Sequence, residues 1–312
     1  MNKVLIADNV ADVVFDIFNK NNIPYEQKVG LTEEELAEEI KNYEGLVIRS
    51  AVTVTKKILE NANNLKVIGR PGVGVDNVDL QAATDKKIVV MNTPLGNVQA
   101  TAELTMGIIH SLLRKIHLAN QSMHNKKWEK KNFVGSELFG RTIGIVGFGN
   151  VGKKISEFSH AYGMKVLVNS ASLSKDNEKT YKVSNSSFEE LIKVSDIITF
   201  HNKLSEKSKY MINSESLKLI KHDAIVVNCA RGGVVNEGAV KQALLNNELG
   251  GYGCDVYESE PQKDSIFAGM ENVVMTPHIG AGTKEAQEKV AVQIAEQISN
   301  FFKNNKITNQ VN

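Results

Sequence analysis

Three apolar runs in the second half of the chain each end in a side chain able to do chemistry. Ala224-Ile-Val-Val-Asn-Cys229 leads into Ala230-Arg231-Gly232-Gly233. The run from Gly251 leads into Asp255-Val-Tyr-Glu-Ser-Glu260-Pro261, with three acids ahead of a proline. Asn272 to Met275 leads into Thr276-Pro277-His278-Ile-Gly-Ala-Gly282. An arginine fork matches a carboxylate geometrically, so Arg231 is a candidate anion holder, with a surface salt bridge as the alternative. His278, set between a proline and glycines, carries an imidazole whose ordinary pKa suits proton transfer near neutrality. Five other histidines, His110, His117, His124, His160 and His222, read as structural.

A fourth segment adds a ligand. Ile143 to Val146 is a β-branched run that enters Gly147-x-Gly149-x-x-Gly152, and Lys153 to Phe158 continues with helical character. Strand, glycine turn and helix in this order form the dinucleotide-binding fingerprint. Gly147 allows the sharp turn, Gly149 the approach of a pyrophosphate, and Gly152 close packing of helix on strand. The helix N-terminus offers unpaired N–H groups to the phosphates. About 140 residues precede this unit, although the fold normally opens with it.

The elements that position these groups alternate strand with helix. Before residue 95, strands are predicted at Lys3–Ala7, Gly45–Arg49, Leu65–Gly69 and Lys87–Met91. Thr32 and Glu35 form a capping box for one of the helices between them. This is a small α/β domain with a parallel sheet. Thr93-Pro94 breaks the pattern, and a long connector helix is predicted from about Val98 to past Leu118. A second α/β domain follows from Thr142, with strands at Thr142–Val146, Lys165–Val168, Asp196–Thr199, Ala224–Cys229, Gly251–Asp255 and Asn272–Met275. An amphipathic helix, about Lys284 to Phe302, leads to a polar tail.

The chain has 312 residues, 42% hydrophobic and 23% charged, with a net charge of +1. Such a balance fits a soluble two-domain protein and gives no field for nucleic acid or an anionic membrane. No signal peptide, transmembrane run or metal-ligand spacing is read. Cys229 and Cys254 lie in strand-like apolar contexts and are expected as reduced thiols in a cytoplasmic enzyme.

Taken together, these segments resemble the D-2-hydroxyacid dehydrogenase family. The match rests on Val227 to Val235, Asp255 to Pro261, Asn272 to His278 and Gly282 to Gln287, and earlier on Arg49-Ser-Ala51, Gly69 to Asp79 and Met91 to Pro94. It is most similar to the members that oxidise 3-phosphoglycerate, the first step of serine synthesis. The resemblance implies two doubly wound parallel-sheet domains, a Rossmann cofactor domain inserted into a smaller flavodoxin-like substrate domain. Residues 1–94 and 283–312 would form the substrate domain and 95–282 the NAD-binding domain.

The family's Arg–Glu–His set maps onto Arg231, Glu260 and His278. Arg231 would hold the substrate carboxylate, His278 would take the hydroxyl proton, and Glu260 would orient the imidazole and favour its charged form. The implied NAD site comprises Gly147, Gly149, Asn150, Val151, Gly152, Asn169, Ser170, His201, Cys229, Ala230, Asp255 and Gly280. Arg49, Ser50, Arg70, Val73, Gly74 and Asn97 would bind substrate, the two arginines at its phosphate. A homodimer through the cofactor domains is implied, with the lysines around Trp128 near the contact. Whether Lys130 or Lys131 completes a neighbouring site stays open. No stretch matches the regulatory domains of longer relatives, so serine feedback through such a domain is not expected.

Three departures from the family pattern stand out. Ser170 lies where an acid would grip the ribose. That leaves discrimination between NAD and NADP as the open point, with NAD the expected cofactor. His201-Asn-Lys203-Leu204 lacks the proline of the family's His-x-Pro-Leu loop, and Asn236 stands for the aspartate of Val-Asp-Glu. Two further readings are kept: a glyoxylate or hydroxypyruvate reductase of the same family, and a non-catalytic NAD-sensing protein of the corepressor kind.

Overall fold

The computed structural model describes residues 2–312; Met1, the first residue of the expected 1–94 segment, lies outside the described residues. Two compact units divide the chain. One holds the residues up to Val98 together with Ala281–Asn312, the other Gln99–Gly280. The boundaries thus fall at 98/99 and 280/281 rather than 94/95 and 282/283. Gly96 shows why the first moves: a Cβ there would sit 2.3 Å from Val290 Cγ1, so this residue packs with the first unit.

The first unit opens with β1 (Val4–Ile6), α1 (Val13–Lys20), β2 (Tyr25–Gln27), α2 (Glu33–Glu39) and β3 (Gly45–Val47). It continues with α3 (Lys56–Asn61), β4 (Val67–Arg70), α4 (Leu80–Asp85) and β5 (Val89–Asn92). All pairings are parallel, in the order β2-β1-β3-β4-β5, the flavodoxin-like arrangement. The central strands β1 and β3 are buried and apolar, and β4 is so up to Arg70, because both faces are covered. Leu5 packs with Leu46 and Ile68 on one face, whereas Val4, Ile6 and Val47 pack on the other. Thr32 and Glu35 form the expected capping box at α2.

The second unit is built on α5 (Val98–Leu113), α6 (Ile116–His124), β6 (Thr142–Val146), α7 (Asn150–Ala161) and β7 (Lys165–Asn169). After these come α8 (Lys175–Tyr181), β8 (Ser184–Asn185), α9 (Phe188–Val194), β9 (Ile197–Phe200) and α10 (Ser214–Leu217). It ends with β10 (Ile225–Asn228), α11 (Glu237–Leu245), β11 (Gly251–Cys254) and β12 (Val273–Met275). The sheet order β12-β11-β10-β9-β6-β7-β8 reverses direction between β6 and β9. That is the Rossmann order, and the reversal is where such sheets bind ligands, beyond the carboxyl ends of the strands. Returning to the first unit, α12 (Lys284–Asn304) lays Ile294 and Ile298 over Gly69 of β4, where a Cβ would come within 2.6 Å of Ile298.

One expectation needs correction, and two features were not foreseen. The connector helix is not continuous: α5 stops at Leu113 and Lys115 is left-handed, φ 51°. The Ser136 N–H takes the Leu113 carbonyl at 2.9 Å, and Gly135 presses on the same carbonyl, so chain from residues 134–136 displaces the next helical turn. The edge strands β2 and β8 were not foreseen, because Tyr25-Glu-Gln27 and Ser184-Asn185 carry no apolar run. The polar tail pairs with the first sheet. The Val311 N–H donates to the Val90 carbonyl and the Asn92 N–H to the Asn309 carbonyl, covering the open edge of β5.

Candidate active site

The turn after β6 shows a separate reason for each of its glycines. Gly147 has φ 92°, and a Cβ on it would meet the Asn202 nitrogen at 2.6 Å. A Cβ on Gly152 would lie 2.3 Å from the Gly147 carbonyl oxygen, so only glycine lets α7 sit this close to the turn. A Cβ on Gly149 would meet nothing within 4 Å, and as N-cap it offers no side chain to the first amides of α7. Open backbone and uncapped amides at the switch point fit a dinucleotide pyrophosphate. Asn150 and Val151 open α7 beside them.

Around the turn, the Asn169 carbonyl accepts the Gly147 N–H at 2.9 Å, while the Asn169 amide donates to the Ser186 carbonyl. Ser170, at the carboxyl end of β7, shares a 3.1 Å hydrogen bond with Ser172. His201 pairs with Thr199 Oγ1 at 2.9 Å, and burial pushes its imidazole down to about 3, so the ring is neutral. Cys229 and Ala230 are buried where β10 ends. Both cysteines are free thiols, each pushed up to about 12 by burial, which makes them unreactive.

The loops after β10, β11 and β12 bring the reactive set together. His278 Nδ1 lies 2.6 Å from Glu260 Oε2. Glu260 Oε1 accepts the Tyr257 N–H at 3.0 Å, and the Glu260–Pro261 peptide is cis. The hydrogen bond from Glu260 raises the His278 pKa against the opposing effect of burial. Burial pushes Glu260 up, but His278 and the Tyr257 amide outweigh it, so its pKa is lowered. Arg231 is near enough for its charge to act on both. Its carbonyl accepts the Asn228 amide at 2.9 Å, and its Nη1 donates to the Ala230 carbonyl at 2.7 Å.

His278 itself has φ 53°, an unusual backbone for a non-glycine residue. Asp255, only 1% exposed, holds it there. One oxygen accepts the Thr276 hydroxyl and the Ile279 N–H, and the other accepts the Gly280 N–H, all within 2.7 Å. Asp255 was expected to bind cofactor. Its buried carboxylate also holds the loop that carries His278.

In the first unit, Arg49 and Arg70 end the segments of β3 and β4, and both are partly exposed. Gly72, φ 151°, leaves room for Arg70: a Cβ there would lie 1.8 Å from the guanidinium. Ser50, Val73 and Gly74 lie in the same two loops, and none is buried. Asn97 Oδ1 is a buried acceptor without a hydrogen-bond partner. Asp8 was missed. Its carboxylate, at the end of β1, accepts the N–H groups of Asn9, Arg49 and Ala51 at 3.0, 2.9 and 3.2 Å. The Asn77 amide donates to the Arg49 and Val52 carbonyls, and the Asn92 amide to Val73. An acid closing an apolar strand was the available signal for Asp8.

Among the structural histidines, His117 Nε2 lies 2.9 Å from the Glu271 carbonyl and His160 Nε2 lies 2.8 Å from Tyr181. Among the described residues no cluster of metal-ligating side chains occurs.

Residues 106–280 match the family described as D-isomer specific 2-hydroxyacid dehydrogenase, NAD binding domain. With the Rossmann sheet and the Arg231, Glu260 and His278 loops in place, the chain belongs to the D-isomer specific 2-hydroxyacid dehydrogenases. Its curated relatives include D-3-phosphoglycerate dehydrogenase of Homo sapiens, 40% identical over all 312 residues of this chain. The chain spans 58% of that protein's length. Among solved structures, the TT0316 protein of Thermus thermophilus is 28% identical with a TM-score of 0.91, covering 99% of this chain and 100% of that one. D-lactate dehydrogenase from Aquifex aeolicus, complexed with NAD and lactic acid, is 25% identical with a TM-score of 0.86 over 97% and 96%.

Proposed function

We propose that the chain is an NAD-dependent dehydrogenase that oxidises 3-phosphoglycerate to 3-phosphohydroxypyruvate, with the second unit as cofactor domain and the first as substrate domain. The observation that carries the reading is the 2.6 Å His278–Glu260 pair within reach of the Arg231 charge. Arg231 binds the substrate carboxylate through its fork. Glu260 holds Nδ1 of the imidazole, which turns Nε2 toward the hydroxyl as general base. In oxidation His278 takes the hydroxyl proton; in reduction the imidazolium returns it. The nicotinamide, when bound, supplies the hydride acceptor. Gly147 through Gly152 and the first amides of α7 would hold its pyrophosphate, with Ser170 at the ribose and Asn169, His201 and the backbone from Cys229 to Ala230 nearby.

The substrate choice rests on Arg49 and Arg70. Two guanidinium groups on the first unit, beside Ser50, Val73, Gly74 and Asn97, suit a phosphate dianion. Human D-3-phosphoglycerate dehydrogenase, similar across this whole chain, supports the same choice. We further propose a homodimer through the cofactor domains. Cytoplasmic residence is supported by the two buried free thiols. No helix among the described residues is long and apolar enough to cross a membrane.

Steady-state reduction of phosphohydroxypyruvate, glyoxylate, hydroxypyruvate and pyruvate, each with NADH and NADPH, tests the reading. Phosphohydroxypyruvate with NADH should have the highest kcat/KM. Arg49→Ala and Arg70→Ala should each raise its KM about 10- to 100-fold, the loss expected of a charged hydrogen bond. Glyoxylate outperforming the phosphorylated substrate, with both variants silent, would make the chain a glyoxylate reductase. A tenfold preference for NADPH would overturn NAD as cofactor, and absence of turnover with any of them would favour a sensor.

A further inference from the structure

Two acids outside the Arg231–Glu260–His278 set face each other across its loops. Glu237 is the first residue of α11, six positions after Arg231, and is only 8% exposed. Glu258 lies two positions before Glu260. The Glu258 N–H donates to Glu237 Oε1 at 2.8 Å, and the Glu237 N–H donates to Glu258 Oε1 at 3.0 Å. The Tyr210 hydroxyl donates to the remaining Glu258 oxygen at 3.0 Å.

We propose that this reciprocal pair is a clamp that positions Glu260, and through it His278, making Glu237 a positioning residue of the reaction. The inference rests on the dehydrogenase reading given above.

The connection runs through short covalent and hydrogen-bonded steps. Gly232 packs so tightly on the next loop that a Cβ would lie 1.7 Å from the Tyr257 carbonyl oxygen. The peptide following that carbonyl carries the Glu258 N–H that Glu237 accepts. The Tyr257 N–H holds Glu260 Oε1, and the Tyr257 hydroxyl donates to the Thr276 carbonyl at 2.8 Å, two residues from His278. Residues 231–237, 257–260 and 276–278 are therefore tied at one point. Without Glu237, the Glu258 N–H loses its acceptor, and the 257–260 loop that carries Glu260 loses that anchor to α11.

Two carboxylates this close repel unless hydrogen bonds offset the charge, and backbone N–H donors do so here. The Glu237 N–H is also at the positive end of α11, which favours the Glu258 charge. Groups facing Glu237 are Glu258, Glu260, Tyr210, Tyr252, Cys254 and Tyr257. Those facing His278 are Glu260, Asp255 and Arg231. Burial chiefly raises the Glu237 pKa. Among the groups facing Glu237 there is no cation to compensate for loss of the clamp.

The test is the titration of the His278 ring by NMR in the full chain, assigned with His278→Gln, alongside kinetics of 3-phosphoglycerate oxidation. Variants are Glu237→Ala, Glu237→Gln and Glu258→Ala, the last removing the clamp from its exposed side. In both alanine variants His278 should titrate lower than in the parent, toward an ordinary histidine. Their kcat should fall on the order of 10- to 100-fold, as for a misplaced catalytic group, with KM for NAD unchanged. Glu237→Gln keeps an acceptor oxygen for the Glu258 N–H and should keep the parent's titration. Parental His278 titration in Glu237→Ala and Glu258→Ala, with or without lost activity, overturns the proposal. If the parent fails to oxidise 3-phosphoglycerate, the functional reading falls, while the titration still decides the clamp.

Discussion

In the proposed reaction, His278 and Glu260 make the pH dependence a property of two residues. The imidazole pKa is raised, first by the Glu260 hydrogen bond, and the carboxyl pKa is lowered despite burial. Oxidation requires neutral His278, so its kcat/KM should climb as pH rises through a value above the ordinary 6.5. Reduction requires the imidazolium and should decline over the same interval. Glu260→Gln removes the anion that favours the charged ring, so both inflections should move down in pH-rate profiles; profiles that stay in place would remove Glu260 from this role. The same shifts have a stability consequence. A raised histidine contributes below its unfolded pKa and loses that contribution as pH rises through the folded value. A lowered carboxylate contributes above its unfolded pKa and loses it as pH falls through the folded value. The pair thus stabilises most between 4.5 and 6.5, and modestly, because the His278 side chain is 54% exposed.

Among elements, the loops that carry the arginines depend on buried groups beneath them. Asp8 accepts three backbone N–H groups where β1 ends, at the point where the first sheet's strand order reverses. Asp8→Ala leaves those donors without their acceptor, a cost of about 1–3 kcal/mol for each that stays buried. A melting experiment should show a lower Tm, and KM for the phosphorylated substrate should rise about tenfold, since 1.4 kcal/mol is tenfold in affinity. NADH binding, a property of the second unit, should be unaffected. An unchanged KM would mean that the Arg49 loop does not need Asp8. The strands holding these loops were readable because each central one is a β-branched run buried on both faces. Arg231, Glu260 and His278 were readable because each lies in the segment that follows an apolar run. Sequence spacing does not reveal that Glu260 and His278 meet across 18 residues, or that Asp255 turns inward to their loop. Nor did it reveal β2, a polar edge strand, or the break at Lys115, which is set by a carbonyl bond to distant Ser136.

For the whole molecule, the surface of the second unit bears on assembly. Ile116, Ala119 and Met123 follow helical spacing along α6 and, with His110, Arg114 and Asn120, line a groove. Ile116 is 52% exposed and Met123 54%, and farther along Trp128 is 78% and Val134 74% exposed. Exposed Ile116 and Met123 lining one groove exceed the scattered exposure normal for a monomer's surface. Lys126, Lys127, Lys130 and Lys131 flank Trp128 in sequence and would supply the polar rim that interfaces have. A second copy of the chain is the occupant consistent with the proposed dimer. Light scattering after size exclusion should therefore give the mass of two chains. Met123→Glu combined with Trp128→Asp would place two carboxylates in each facing surface and should yield monomers that still bind NADH, because neither residue touches the glycine turn. A parent chain that elutes as a monomer at micromolar concentration would refute the dimer and leave the patch without an occupant. A dimer that survives both substitutions would place the contact elsewhere on the cofactor domain.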